Sequence, residues 1–295
     1  MKAVTMLETI RSLLGTPACA IPLSSCRILR PHLLTRAGLP TEGTAILFSI
    51  PYLVTSDEAI PGRNLSLYAV PRDYHGYTKI LSDSLLPRLR ELYPTKRFAL
   101  FADHSPIAEV DAAARAGLGV IGRHGLLITP DFGSFVFLGE LITDAEYAEV
   151  TECPDQSIPP TPPRCEDCGA CVSACPTGTL PGHERGACLS SLTQKKGELT
   201  PDERKALLRG GLAWGCDACQ LACPHNKAVL RERRDTPLPY FTSQRLSRLS
   251  IATLDTMTDG EFSERAYAWR GRAVIRRNLE LLESSEENPN ERSRS

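Results

Sequence analysis

The sequence lacks the features that would tie it to a charged partner, a membrane or export. Its formal net charge is -1 over 295 residues, so any binding to nucleic acid or to an anionic membrane must use a local patch. It has no long uncharged apolar run, and Glu8 and Arg11 lie where a signal peptide would need apolar residues. These absences favour a globular protein of the cytoplasm.

The composition is that of a folded protein with bound metal. Hydrophobic residues make up 42% and charged residues 23% of the chain, which is enough for a substantial core and for two domains. Most of the 11 cysteines lie between residues 165 and 223, at spacings typical of metal ligands rather than of disulfides. Metal binding in a reducing compartment explains this clustering better than disulfide bonding does.

Apolar runs, helical spacing and turn residues predict a mixed α/β first half. The expected elements are strands at residues 44–52 and 97–103, helices at 73–94 and 107–116, and a β-hairpin at 126–143. We expect a kink at Pro87 within the first of these helices.

The expected fold class is α+β, with three successive regions. The mixed α/β domain covers residues 1–152, and it ends where the prolines of 153–164 exclude regular structure. A ferredoxin-like module with two [4Fe-4S] clusters covers 153–235, and an arginine-rich helical segment with a disordered tail covers 236–295.

Two cysteine motifs predict the clusters. The first is CxxCxxCxxxCP, the run that holds three thiolates on one cubane and sends the fourth to a neighbouring cluster. The second has one cysteine fewer, and Cys188 between the motifs completes a set of eight. By this crossing-over, one cluster has the ligands Cys165, Cys168, Cys171 and Cys223, and the other has Cys175, Cys188, Cys216 and Cys219.

The alternative to the clusters is a pair of zinc sites, since CxxC pairs also suit tetrahedral zinc. Zinc requires neither the third cysteine at that pitch nor the prolines that follow both motifs. Three cysteines fall outside the pattern and are interpreted as packing residues: Cys19, Cys26 and Cys153.

Four segments together resemble the epoxyqueuosine reductase family. They are SLYAVPRDYH at residues 66–75, the run DHSPIAEVDAAARAGLGVIGRHGLLITPDFGSFVFLGELIT from Asp103, the cluster motifs, and CLSSLTQKKG from Cys188. The family is similar to the reductive dehalogenases in joining a cobalamin-binding α/β domain to a two-cluster module. The resemblance implies an oxidoreductase that reduces the epoxide of epoxyqueuosine in tRNA to queuosine, with two [4Fe-4S] clusters and cobalamin as cofactors.

The resemblance also implies roles for particular residues. Asp103 falls on the family's proton donor, at the carboxyl end of a predicted strand. The residues that would bind cobalamin, besides Asp103, are Ser66, Leu127, Leu138, Ser190, Cys216 and Asp217, and Lys196 would contact tRNA. Each role has a simpler alternative. Asp103 would then be an exposed strand-end aspartate or a helix cap, the two leucines would be ordinary packing residues, and Lys196 would be a solvated surface lysine.

The sequence departs from the typical pattern at its C-terminal end. Typical members continue with a helical-repeat domain that helps to hold tRNA, and this chain ends soon after AVIRRNLELLE, where that domain would begin. The arginines between residues 231 and 277 are candidates for phosphate binding or simply a solvated face. Two other functions stay open: a cobalamin reductase acting on another substrate, and a non-catalytic two-cluster electron carrier. We expect a monomer that takes electrons from a flavodoxin or ferredoxin.

Overall fold

The structure, a computed structural model, describes residues 4–151, 161–180, 182 and 185–287. It divides the chain into two compact units. The first comprises Met1–Pro51, Tyr74–Gly122 and Leu126–Asp167, and the second comprises Tyr52–Asp73, Arg123–Gly125 and Cys168–Ser295. The expected α+β fold class is confirmed. None of the helices in the described residues is both long and apolar enough to cross a membrane.

The first unit is built on an antiparallel sheet with helices packed against it. Its helices are α1 (Met6–Leu14), α2 (Pro31–Arg36), α3 (Tyr74–Leu92), α4 (Glu109–Arg115) and α5 (Tyr147–Thr151). Its strands are β1 (Ala18–Pro22), β2 (Thr44–Pro51), β3 (Phe98–Phe101), β4 (Val120–Ile121), β5 (Leu127–Ile128) and β6 (Val136–Thr143).

The main sheet has the order β1-β2-β6-β3, with β6 antiparallel to both of its neighbours. The predicted strands and helices of this unit are therefore present, and Pro87 lies inside α3 without ending it. The α3 face that packs inward carries Leu81, Leu85 and Leu89, whereas Ile80 is exposed.

The predicted hairpin at 126–143 is wrong. β5 pairs with β4, and β6 pairs with β2 and β3 instead. The physical reason is burial: from residue 139 to 143 every residue of β6 is buried, so the strand needs a hydrogen-bonded neighbour on each side.

The second unit is helical. In the described residues its α-helices are α6 (Ala170–Ser173), α7 (Leu189–Thr193), α8 (Pro201–Gly210), α9 (Ala218–Ala222), α10 (Pro224–Arg231), α11 (Pro239–Thr242), α12 (Ile251–Thr256), α13 (Asp259–Ser263) and α14 (Arg272–Glu287). Its core joins α7, α8, α12 and α14 around the fully buried Trp214.

The boundaries of the units differ from the domains expected from the sequence. Residues 52–73 belong to the second unit, because Ser66 N–H donates to the Trp214 carbonyl at 2.9 Å and Leu65 packs in the same core. Residues 236–287 share that core and form no separate region. The C-terminal tail expected to be disordered begins at Ser284, but α14 continues to Glu287. The rest of this tail lies outside the described residues, as do the linker residues 153–160.

Candidate functional site

Asp103 follows β3 directly and has a strained backbone. Its φ is 62°, the left-handed region that residues with a Cβ occupy at a cost of about 1–2 kcal/mol. Hydrogen bonds hold the loop in this shape: His104 N–H donates to the Ala102 carbonyl at 2.7 Å, and Ser105 N–H donates to the Asp103 carbonyl at 2.9 Å. This geometry presents the carboxyl outward, with 70% of the side chain exposed.

A histidine from α3 approaches this carboxyl. His75 Nε2 lies 4.0 Å from Asp103 Oδ2, and 58% of the His75 side chain is exposed. The preceding residue, Tyr74, stacks on Phe137 with the ring centroids 4.1 Å apart, which anchors the start of α3 beside β6. The sequence suggested no partner for Asp103, and His75 is the side chain that the fold brings to it.

Two further carboxyls lie behind Asp103 in the same unit. Glu140 is on β6, opposite Leu47 and Phe101, and has no exposed area. Burial raises the pKa of Glu140 to about 8, the nearby Ser105 hydroxyl lowers it in part, and the charge of Glu109 raises it further. Burial also raises the pKa of Glu109 to about 7, the charge of Asp103 adds to this, and Arg30 opposes it.

The cluster cysteines of the second unit converge on one another. The Cys219 thiol interacts electrostatically with Cys216, Cys188, Cys171 and Cys175. Burial raises the pKa of Cys216 to about 11 and that of Cys219 to about 12, and neighbouring thiolates add to both shifts. None of the cluster cysteines forms a disulfide. Because iron binds thiolates, a cluster would supply the positive charge that these buried sulfurs need.

The remaining cluster cysteines fit the same chemistry. Cys223 is buried and begins α10, while Cys165, in the first unit, donates its backbone N–H to the Ile121 carbonyl at 3.0 Å. Within the described residues, no three cysteine, histidine, aspartate or glutamate side chains lie close enough to bind one metal ion.

Asp217, between two cluster ligands, is held by the protein itself. Arg63 Nη1 lies 2.7 Å from Asp217 Oδ2, and the Leu67 N–H donates to the same carboxylate at 3.0 Å. The side chains of Asp217 and Arg63 are only 1% and 10% exposed. Asp217 therefore has a structural function: the ion pair and the hydrogen bond hold residues 63–67 against the segment that carries Cys216 and Cys219.

Ser66 and Ser190, both expected at cobalamin, meet at a tyrosine that sequence reasoning missed. The Tyr68 phenol interacts with both serine hydroxyls and with the Trp214 indole. Within the described residues, Ser66 Oγ and Trp214 Nε1 are buried without a well-formed hydrogen bond. These side chains form a buried polar group around the Tyr68 hydroxyl, which fits a polar ligand better than an apolar one.

Three other predicted residues have clear positions. Leu127 is buried in the core beside α4, and Leu138 packs against the same core. Lys196 is exposed in its turn, where Arg277 donates to the Lys195 carbonyl at 2.8 Å. Cys26 is part of the core of the first unit and Cys19 packs against it, whereas Cys153 lies outside the described residues.

Several arginines of the predicted phosphate-binding segment have structural partners. Arg272 donates to the Leu254 and Met257 carbonyls at 2.8 and 2.7 Å, Arg276 pairs with Asp255, and Arg245 pairs with Asp57. Their charges hold helices and loops of the second unit together. Fewer arginines are therefore available for phosphate than the sequence suggested.

Comparison with known proteins first defines the class. Residues 164–226 match the family model described as a 4Fe-4S double cluster binding domain. This chain is thus an iron–sulfur protein with an α/β unit in addition to its cluster module.

Curated relatives then define the family. The chain is 31% identical over 247 residues to an epoxyqueuosine reductase of Gloeobacter violaceus, covering 81% of this chain and 73% of that protein. It is 31% identical over 260 residues to the Staphylococcus aureus epoxyqueuosine reductase, covering 83% of this chain and 64% of that protein. The chain belongs to the epoxyqueuosine reductase family. It spans only about half of the length of some other curated relatives, 49% and 54% in two cases.

Solved structures share the fold. An epoxyqueuosine reductase bound to an epoxyqueuosine-modified tRNA stem loop superposes with a TM-score of 0.72 at 22% identity, over 94% of this chain and 79% of that one. An epoxyqueuosine reductase from Bacillus subtilis, in which an aspartate-containing catalytic loop is swung out of the active site, gives a TM-score of 0.69 at 21% identity, over 94% and 82%.

Sequence reasoning missed Tyr68, Arg63 and the buried carboxyls. A signal existed for Glu140, the lone acidic residue in the apolar run FVFLGELIT. A carboxyl in the middle of a buried strand is rare and favours a special role.

Proposed function

We propose that this chain is an epoxyqueuosine reductase, which reduces the epoxide of epoxyqueuosine in tRNA to the alkene of queuosine. The observation that carries the proposal is the strained, outward-facing Asp103 at the end of β3, in a chain that belongs to this family. A related enzyme has an aspartate on its catalytic loop, and another has been seen with the modified tRNA stem loop.

The chain would carry electrons through two [4Fe-4S] clusters, with the eight ligands assigned above. Electrostatic contacts of Cys219 with Cys216, Cys188 and Cys175, and also with Cys171 of the other set, support one region that holds both clusters. We expect the electrons to come from a flavodoxin or ferredoxin and the protein to be a monomer. The expected domains keep their functions with changed limits, because residues 52–73 join the cluster unit.

Cobalamin would be the second cofactor. When bound, it would supply the low-valent cobalt nucleophile that reduction of an epoxide requires. The chain's contribution in the second unit would be Ser66 and Ser190 around Tyr68, with the cluster ligand Cys216 packed against the same core as Tyr68. Asp217 would act indirectly, by holding residues 63–67 through Arg63. Leu127 and Leu138 are the apolar residues that the family resemblance proposes for cobalamin contact.

Asp103 would be the acid. Opening an epoxide leaves an alkoxide, which is a poor leaving group at neutral pH, so a positioned proton donor is required. The exposed Asp103 carboxyl can reach a substrate, and His75 at 4.0 Å can orient it. Lys196, exposed in its turn, is the proposed tRNA contact.

The test is single-turnover reduction of epoxyqueuosine-containing tRNA by anaerobically reconstituted protein, with iron and cobalamin measured on the same sample. Asp103→Asn should retain both cofactors and lose at least about 100-fold in rate, the low end of what a positioned acid contributes. Asp83→Asn, in an exposed α3 ion pair with Lys79, is the matched control and should leave the rate unchanged.

Three outcomes would contradict the proposal. Full activity of Asp103→Asn would remove Asp103 from the mechanism. Cobalamin binding without queuosine formation by the wild-type protein would mean that the chain reduces a different substrate. A protein that binds clusters but no cobalamin would be an electron carrier.

A further inference from the structure

The two carboxyls behind Asp103 have no structural role that explains them. Glu140 is fully buried, and neither of its carboxyl oxygens forms a hydrogen bond within the described residues, while the hydrogen bonds of the nearby Ser105 hydroxyl run to Ile107 at 2.8 and 2.9 Å. A buried carboxyl without a partner is costly, and replacement by an apolar residue would avoid that cost. Its presence in the core of β6 therefore needs a functional reason.

Glu109 connects this core to the surface. It is the first residue of α4, and its Oε2 atom is buried without a hydrogen bond in the described part of the chain. Its electrostatic partners are Asp103 on the outer side and Arg30, while Glu140 in turn interacts with Glu109. The carboxyls of Asp103, Glu109 and Glu140 thus form a series from solvent to core.

Few other charges face the series. His75 Nε2 lies 4.0 Å from Asp103 Oδ2, Arg30 donates to the Ser105 carbonyl at 2.8 Å, and the Cys26 thiol is near Glu140. On α4, Asp111 and Arg115 pair with each other at 3.7 Å. Because no cation in the described residues forms an ion pair with Glu140, burial dominates and favours its neutral, protonated form.

We propose that Glu109 and Glu140 store a proton and pass it to Asp103, so that Asp103 can act as an acid twice in one turnover. This inference rests on the proposed function. Converting an epoxide to an alkene breaks two C–O bonds, consumes two electrons and two protons, and releases the oxygen as water. Asp103 gives the first proton to the epoxide oxygen and then needs a second one.

The second proton comes from behind Asp103 because a bound substrate covers its exposed face. The departing oxygen, which is far more basic than a carboxylate, takes the proton of Asp103, and this drives reprotonation of Asp103 by Glu109 and of Glu109 by Glu140. Each transfer occurs directly or through a water, and the pair is refilled from solvent after product leaves. Glu109 and Glu140 touch neither substrate nor cofactor and act only through Asp103.

The kinetic test compares Glu140→Gln and Glu109→Gln with wild type across pH. The wild-type single-turnover rate should fall as the pH rises through about 7 to 8, where the pair loses its proton. Either variant should lose about tenfold or more in rate at low pH and should no longer show this fall. Glu140→Asp, which keeps a carboxyl, should retain the pH dependence. Glu91→Gln, exposed on α3, is the matched control.

The second test needs no substrate. Infrared difference spectroscopy of the holoprotein should show a carbonyl band of protonated carboxylic acids that disappears between about pH 6 and about pH 9, and this band should be weaker in Glu140→Gln and in Glu109→Gln than in wild type. Absence of this band in the wild type would overturn the proposal, as would wild-type rates and pH profile in both Gln variants. A present band with no turnover of epoxyqueuosine tRNA would leave the proton store standing and refute the proposed substrate.

Discussion

The buried carboxyl of Glu140 should make the first unit less stable as the pH rises. Its pKa is raised from the ordinary 4.5 to about 8 in the folded state, so between these values the folded state binds more protons than the unfolded state. The contribution of Glu140 to the free energy of unfolding is therefore fully present below pH 4.5, and it is lost as the pH rises through about 8. Between about pH 6 and about pH 8 the two pKa values give a loss of about 2 kcal/mol.

Replacing Glu140 by glutamine should remove this loss, because the amide does not titrate. We expect the Glu140→Gln protein to gain about 2 kcal/mol relative to wild type on going from about pH 6 to about pH 8. Glu109 also lowers the free energy of unfolding as the pH rises, but it is present in both wild type and Glu140→Gln. The difference between the two proteins therefore reports on Glu140.

Amide hydrogen exchange of β6 is the suitable assay, since both tryptophans, Trp214 and Trp269, lie in the second unit and do not report on the first. Intrinsic exchange rates cancel when the two proteins are compared at the same pH. The ratio of wild-type to variant exchange rates should rise by about 30-fold between the two pH values, the equivalent of about 2 kcal/mol. A ratio that does not change with pH would refute the argument that Glu140 is protonated by burial.

Two further substitutions test the packing of each unit. Gly139→Ala should destabilise the first unit by about 1–3 kcal/mol, because the added Cβ would lie 2.3 Å from the Phe48 ring. Slower amide exchange of β6 than in wild type would contradict this prediction. A second substitution, Phe48→Leu, should relieve the clash. Asp217→Asn should destabilise the second unit by about 3–5 kcal/mol, because it leaves the buried Arg63 without a counter-charge. Trp214 fluorescence in a urea titration measures the second effect, and an unchanged midpoint would show that the pair is dispensable.

Local patterns were sufficient for most of the elements near the site. The strand 44–51 and the helix 74–92 were expected within a few residues, because apolar periodicity is set by neighbours in the sequence. The pairing of β6 was not predictable in this way. A hairpin with β5 satisfied the same local pattern, and only the burial of both faces of β6 shows that β2 and β3 must flank it.

The sequence by itself determined the chemistry that depends on residue type and spacing: the cluster cysteines, their following prolines, and the family to which the motifs belong. Tertiary structure alone decided the rest. It placed residues 52–73 with the cluster unit, gave Asp217 an arginine partner, and aligned Glu140 and Glu109 behind Asp103. The reason is that ligand spacing is a property of a short stretch of chain, whereas the proton affinity of a carboxyl is set by every group that surrounds it, most of them far away in the sequence.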